Sequence, residues 1–299
     1  ITVSNGTLAV ASGATLGSGA NVSVAGGRLE LYAASAIADA AALKIWDGAK
    51  VLLSGGAIET VDRLFVNGVQ QPRGYYGSTA SGAQYQDDAH FEGAGQLYVT
   101  SNPPVTPVGA TWDAGGANTL LSTPENWDGD VVPAFDGTTV PTFGTGGSIA
   151  TVDVSVSLHG MAFNRNGNFT LAAGAGVVSN GAGGIAAAVP TATARSYTIE
   201  ENLVLTDHQT WNTATNLAAA TLNVTGSIDD GFLPCNLTKT GFGPLELRAA
   251  NTFDGTVTIS QGDVRLYHAL ALGSTNGNTI VQGSAGGRLI LYGGLTLAE

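Results

Sequence analysis

Apolar and polar residues alternate in short runs along most of this 299-residue chain. The pattern is densest between Asn236 and Ser274. There Leu245 and Leu247 flank Glu246, Val257 and Ile259 flank Thr258, and Val264 and Leu266 flank Arg265. Side chains two apart on a strand share a face, so each run predicts a strand with one apolar and one polar face. Asn251, Asp254-Gly255 and Gln261-Gly262 separate the runs and suit tight turns, because Gly, Asn and Asp tolerate positive φ. No run of this length buries its own apolar pair. Successive coils laid on one another would, which predicts a β-solenoid.

The same reading extends to both ends. Val3, Leu8–Val10, Val22–Val24, Leu29–Leu31, Ile45 and Val51–Leu53 fall between Gly- and Ser-rich breaks. Ala-rich Ala33–Leu43 fits one helical turn or a loop. Asn67-Gly68, between Leu64–Val66 and Val69, predicts a hairpin. Val152, Val154, Val156 and Leu158 alternate with Asp153, Ser155 and Ser157, which predicts one half-buried strand over Ala150–Leu158. Three Pro in Ser101–Gly109 predict an extended spacer. The chain also replays itself. Gly26-Gly27-Arg28-Leu29-Glu30-Leu31-Tyr32 returns as Gly286-Gly287-Arg288-Leu289-Ile290-Leu291-Tyr292, an offset of 286 − 26 = 260. Ile1-Thr2-Val3-Ser4-Asn5-Gly6 returns as Val257-Thr258-Ile259-Ser260-Gln261-Gly262, an offset of 257 − 1 = 256. A period this long marks an array, or a polymer with related ends.

The organising stretch resembles the autotransporter-associated β-strand repeat of bacterial surface proteins. Leu237-Thr238-Lys239-Thr240-Gly241, Gly243, Leu245, Leu247, Ala250-Asn251-Thr252, Gly255 and Gly262 carry the likeness, and Pro244, Glu246 and Asp254 depart from it. Two further segments resemble flanking parts of the same proteins. Glu59-Thr60-Val61, Asn67-Gly68-Val69, Gln71, Gly74, Tyr76-Gly77-Ser78, Gly93, Gly95, Leu97 and Val99-Thr100 look like a closing segment. Thr111-Trp112-Asp113, Gly115-Gly116, Ser122-Thr123, Asn126-Trp127, Pro133 and Phe143 look like an opening segment, with Leu121 in place of a Trp. The resemblance implies a right-handed parallel β-helix, exported and surface-exposed. The order of the segments implies a solenoid portion over 1–100, a linker over 101–110, and a second portion over 111–299 that contains the repeat at 236–274.

Composition narrows the function classes. The hydrophobic fraction of 43% is too high for a disordered linker despite 43 Gly. Net charge is −12 with only 11 Lys and Arg, which argues against nucleic acid and anionic membranes as partners. Cys235 is the sole cysteine, so an internal disulfide and a multi-Cys metal site are excluded. No apolar run is long enough for a membrane-spanning helix. The chain opens at Ile1 with no leader, as expected of a mature protein or a segment of a longer one.

Candidate chemistry is sparse. His90, His159, His208 and His268 fall in no HExxH spacing, and no GxSxG elbow occurs. Asp87, Asp88 and Glu92, with His90, form the densest polar cluster and are candidates for a cation site or a carboxylate pair. The competing reading is a solvated turn with Asp88, His90 and Glu92 facing outward, since calcium needs six or more oxygens. Asp128-Gly129-Asp130 and Asp229-Asp230-Gly231 have the same standing. Trp46, Trp112, Trp127 and Trp211, with Tyr75-Tyr76, could stack on sugars or plug the solenoid, and packing favours the plug for Trp112 and Trp127.

The expected function is structural: an extracellular module, without cofactor, whose partner is itself or an adjacent module. The assembly ends would be Ile1-Thr2-Val3 and Leu295-Thr296-Leu297, read as strands without caps, since open rungs invite another chain. Two other classes stay open. One is an autotransporter-like adhesin passenger that binds glycans or host surfaces, for which Trp46 and Tyr76 are the residues to test. The other is a β-helical polysaccharide-degrading enzyme, for which the residue to test is Asp88.

Overall fold

The computed structural model describes all residues except 145, 189–193, 214–219, 232 and 299. Among the described residues, short strands and three 3-10 turns are the only regular elements. The strands pair parallel in successive layers, as a β-solenoid requires. The chain divides into two compact units, Ile1–Pro104 and Val105–Glu299.

In the first unit, three sheets run along the stack. One is built from Thr2–Val3, Val22–Val24, Ala42–Ile45 and Arg63–Val66 in parallel, and ends on Val69–Gln70 in antiparallel. Asn67 and Gly68, at φ 51 and 81, form the predicted turn. A second sheet carries Thr7–Val10, Arg28–Leu31, Lys50–Leu53 and Phe91–Glu92. The third holds Ile58–Val61, Gln96–Val99, Gly74–Gly77 and Tyr85–Gln86, with one antiparallel pair. Residues 33–41 form a loop rather than a helical turn.

The second unit opens on Val108–Trp112, paired to Thr139–Phe143. This strand begins inside the stretch expected as spacer, and only residues 101–107 there lie outside regular elements. Two sheets run along this unit, one opening on that strand and the other on Ile149–Thr151. The expected single strand over 150–158 is instead a corner. Ile149–Thr151 belongs to one sheet and Val156–Phe163 to the other, with Val152 buried and Val154 exposed. A closed rung must turn somewhere, and the next rung permits it here. A Cβ on Gly174 or Gly176 would strike the carbonyl oxygens of Val152 and Val154, so these glycines let the corners stack. The long strand Val178–Ala187 pairs with Leu203–Leu205 at its start and Gln209–Thr213 at its end, splitting one face into two.

The organising stretch folds as its alternation predicts. Leu222, Leu245, Val264 and Leu289 lie in register on successive rungs, as do Val224, Leu247, Leu266 and Leu291. Each fully buried Leu or Val in such a column contributes about 1.5–3 kcal/mol relative to exposure. The columns end at the last rung: Leu266 is 0% exposed and Leu291 42%. Leu295-Thr296-Leu297 is not a strand. It is a loop whose two leucines rest half-buried against the core beneath.

Candidate functional site

The cluster at 87–92 does not form a cation cage. Asp87 Oδ1 accepts from the Ala89 N–H, and its Oδ2 lies 2.7 Å from His90 Nδ1. Asp88 turns to Thr79, accepting from its N–H at 2.8 Å. Glu92 pairs with Arg28 at 2.5 Å and Lys50 at 3.7 Å. Each carboxylate is thus taken by a different protein donor. Among the described residues, no group of three or more His, Cys, Asp or Glu could hold a metal. His90, expected on the outer face, is buried at 8% exposure, because Phe91–Glu92 docks on Val51–Leu52 and draws the imidazole in. Asp128 and Asp130 are exposed on a turn. Asp229 accepts from Gly231 N–H and Thr252 Oγ1.

Sequence reasoning missed the groups that are chemically most constrained, which are buried and polar. Lys239 is 0% exposed, and its Nζ donates to the carbonyls of Thr240, Gly241 and Gln261 at 2.8, 2.8 and 3.0 Å. Burial pushes its pKa down to about 8, and Asp263 pulls the other way. Glu59 accepts from the N–H groups of Ala36 and Ile37, pinning the 33–41 loop. Burial raises its pKa, and those two N–H bonds oppose the rise. Asp230 accepts from Cys235 and Asp254 N–H and is raised by burial in the same way. Asn251 bridges three rungs, accepting from Ile228 N–H and donating to Ala271 O. All of these are staples between stacked turns: each satisfies backbone groups that the corners leave unpaired. A signal for Lys239 existed, since alternation in Leu237-Thr238-Lys239 puts it on the face of Leu237.

The aromatic residues separate into two roles. Trp112, Trp127 and Trp211 are at most 1% exposed. Trp112 and Trp127 meet edge to face at 5.3 Å in the opening segment, and Trp127 Nε1 donates to Leu121 O. Tyr76 is no platform. It is 5% exposed, stacks on Tyr85 at 4.7 Å and donates to Pro72 O. Trp46, in contrast, is 41% exposed.

The remaining candidates are two strand edges, one at the first rung of the first unit and one at the last rung of the second. In the first rung, Ser23 N–H bonds to Ile1 O and Ala25 N–H to Val3 O, so alternation turns the Thr2 N–H to the outer edge. In the last rung, Asn278 O accepts from Val257 N–H and Gln282 N–H bonds to Ile259 O, which turns the Val281 N–H outward. Its side chain is 45% exposed, against 0% for Ile259 beneath it. The strands of the second unit's last rung are Thr279–Val281 and Gly287–Leu291, and the loop that holds Leu295–Leu297 follows them, with Ala298 N–H bonded to Ala269 O. Comparison with protein-family models, curated proteins and solved structures gives no match.

Proposed function

We propose that this protein is a non-enzymatic structural module of an exported surface array, in which the last rung of one copy receives the first rung of another. One observation carries the reading. The rungs Thr2–Val3/Thr7–Val10 and Val22–Val24/Arg28–Leu31 recur in sequence and in ladder order as Val257–Ile259/Gly262–Leu266 and Thr279–Val281/Gly287–Leu291. A rung type that occurs in both units, in the same stacking order, behaves as an interchangeable layer. The Val281 and Leu291 edge presents ladder groups and apolar side chains that a further layer would cover. Unlike surfaces that join head to tail extend into open filaments. The likeness to the autotransporter-associated repeat supports export to a cell surface, and the engagement of Lys239, Glu59 and Asp230 in backbone stapling supports a structural role over a catalytic one.

Negative-stain microscopy with aligned-fibre diffraction tests this. Filaments with a meridional spacing of about 4.8 Å, the distance between stacked strands, are the expected result. A single monomeric species at every concentration would sink the proposal.

A further inference from the structure

Trp46 is the one exposed indole among four, and its surroundings are organised in a way a turn does not need. Its six-membered ring lies against Gly68, where a Cβ would sit 3.7 Å away, so the hairpin tip acts as a seat for the ring. Next to it, Asp47 is 88% exposed, yet its carboxylate is held: Asn67 Nδ2 donates to Oδ1 at 2.6 Å, and His90 Nε2 stands 3.7 Å from the same oxygen. His90 is fixed in turn by Asp87. Lys44, two residues before Trp46, holds its ammonium 5.4 Å from the Phe65 ring centroid on the same sheet.

We infer that Trp46, Asp47, Asn67 and Lys44 form a binding site for a pyranose ring. The indole would pack against the flat C–H face of the sugar. The positioned carboxylate and amide would take its hydroxyls, acceptor and donor side by side, with Lys44 as a second donor. A quaternary ammonium is the competing ligand for an indole beside a carboxylate. The Lys44 ammonium favours the neutral sugar, and among the described residues no second ring pairs with Trp46. The inference goes beyond the structural role and fails independently of it, because the site lies on one sheet and involves neither edge of the stack.

Acrylamide quenching reads the site directly, since the other three indoles are buried. The probes are methyl pyranosides of glucose, galactose, mannose and N-acetylglucosamine, a chito-tetraose, and choline chloride. At least one sugar should lower the quenching of the exposed indole by half or more. Saturation-transfer NMR with that sugar should show transfer to its ring protons, lost in Trp46→Ala, reduced tenfold or more in affinity in Asp47→Asn, and unchanged in Tyr32→Phe. Asp47→Asn keeps the assay meaningful if Trp46→Ala does not fold. No protection by any sugar, protection by choline alone, or sugar binding that survives Asp47→Asn would each overturn the inference.

Discussion

Replacing Lys239 by Met tests whether the stack depends on polar staples. Met keeps the length and apolar stem of the side chain and deletes the ammonium. Three carbonyls, those of Thr240, Gly241 and Gln261, lose the ammonium, and Thr240 O keeps only a long bond from Thr213 Oγ1 at 3.5 Å. Each buried acceptor left unpaired costs about 1–3 kcal/mol. Against this, the variant no longer desolvates a charge. The fall of the pKa from 10.5 to about 8 sets that saving at about 3.4 kcal/mol. Three such losses less that saving leave a net loss at neutral pH of roughly 0–6 kcal/mol, with a midpoint of about 2.6 kcal/mol. The pH dependence is the sharper signature. A lysine with a depressed folded pKa binds fewer protons folded than unfolded between about 8 and 10.5, so wild-type stability rises with pH in that window. From pH 8 to 9.5 the gain is roughly 1.6 kcal/mol, and Lys239→Met should lack it. Urea unfolding followed by tryptophan emission, at both pH values, measures the two effects as shifts in midpoint. Parallel pH slopes in the two proteins would refute the reasoning.

Other perturbations follow from the same geometry. Glu59→Gln leaves one N–H of Ala36 or Ile37 facing an amide donor and should cost about 1–3 kcal/mol, seen as faster amide exchange in the 33–41 loop. Because the folded pKa of Glu59 is raised, its contribution grows as pH falls through that value, so the gap between wild type and variant should widen on acidification. Gly255→Ala drives a Cβ into the Cys235 carbonyl and should cost about 1–3 kcal/mol, whereas Gly283→Ala, with open space around it, should stay within about 0.5 kcal/mol. With a net charge of −12, end-to-end association should strengthen as salt screens the copies from each other, measurable by light scattering.

Much of the fold was legible because a period of two is hard to mistake when turns punctuate it. The pairs Leu245/Leu247, Val257/Ile259 and Val264/Leu266 all face inward, and Asn67-Gly68 forms the hairpin. Alternation has no memory of where a rung must turn. It ran unbroken through Val154, although Gly174 and Gly176, a rung away, let a corner form there. It also made a strand of Leu295–Leu297, whose leucines fold down on the core instead. Among the candidate residues, the reading of Trp112 and Trp127 as plugs rested on packing and matches their burial, while Tyr76 was indistinguishable from an exposed ring until Tyr85 was seen against it. Lys239 and Glu59 were passed over because a charged residue on an apolar face looks like an interruption. The structure shows it to be a donor or acceptor for corner backbone, a need invisible before the rungs are stacked.

The most direct test of the layered-edge account is sedimentation velocity over a concentration series, comparing wild type with Val281→Pro. Proline there removes an outward N–H without breaking the inward bonds of Asn278 and Gln282. The account predicts a sedimentation coefficient that climbs with concentration for the wild type and stays flat for the variant. Identical behaviour of the two proteins would contradict it.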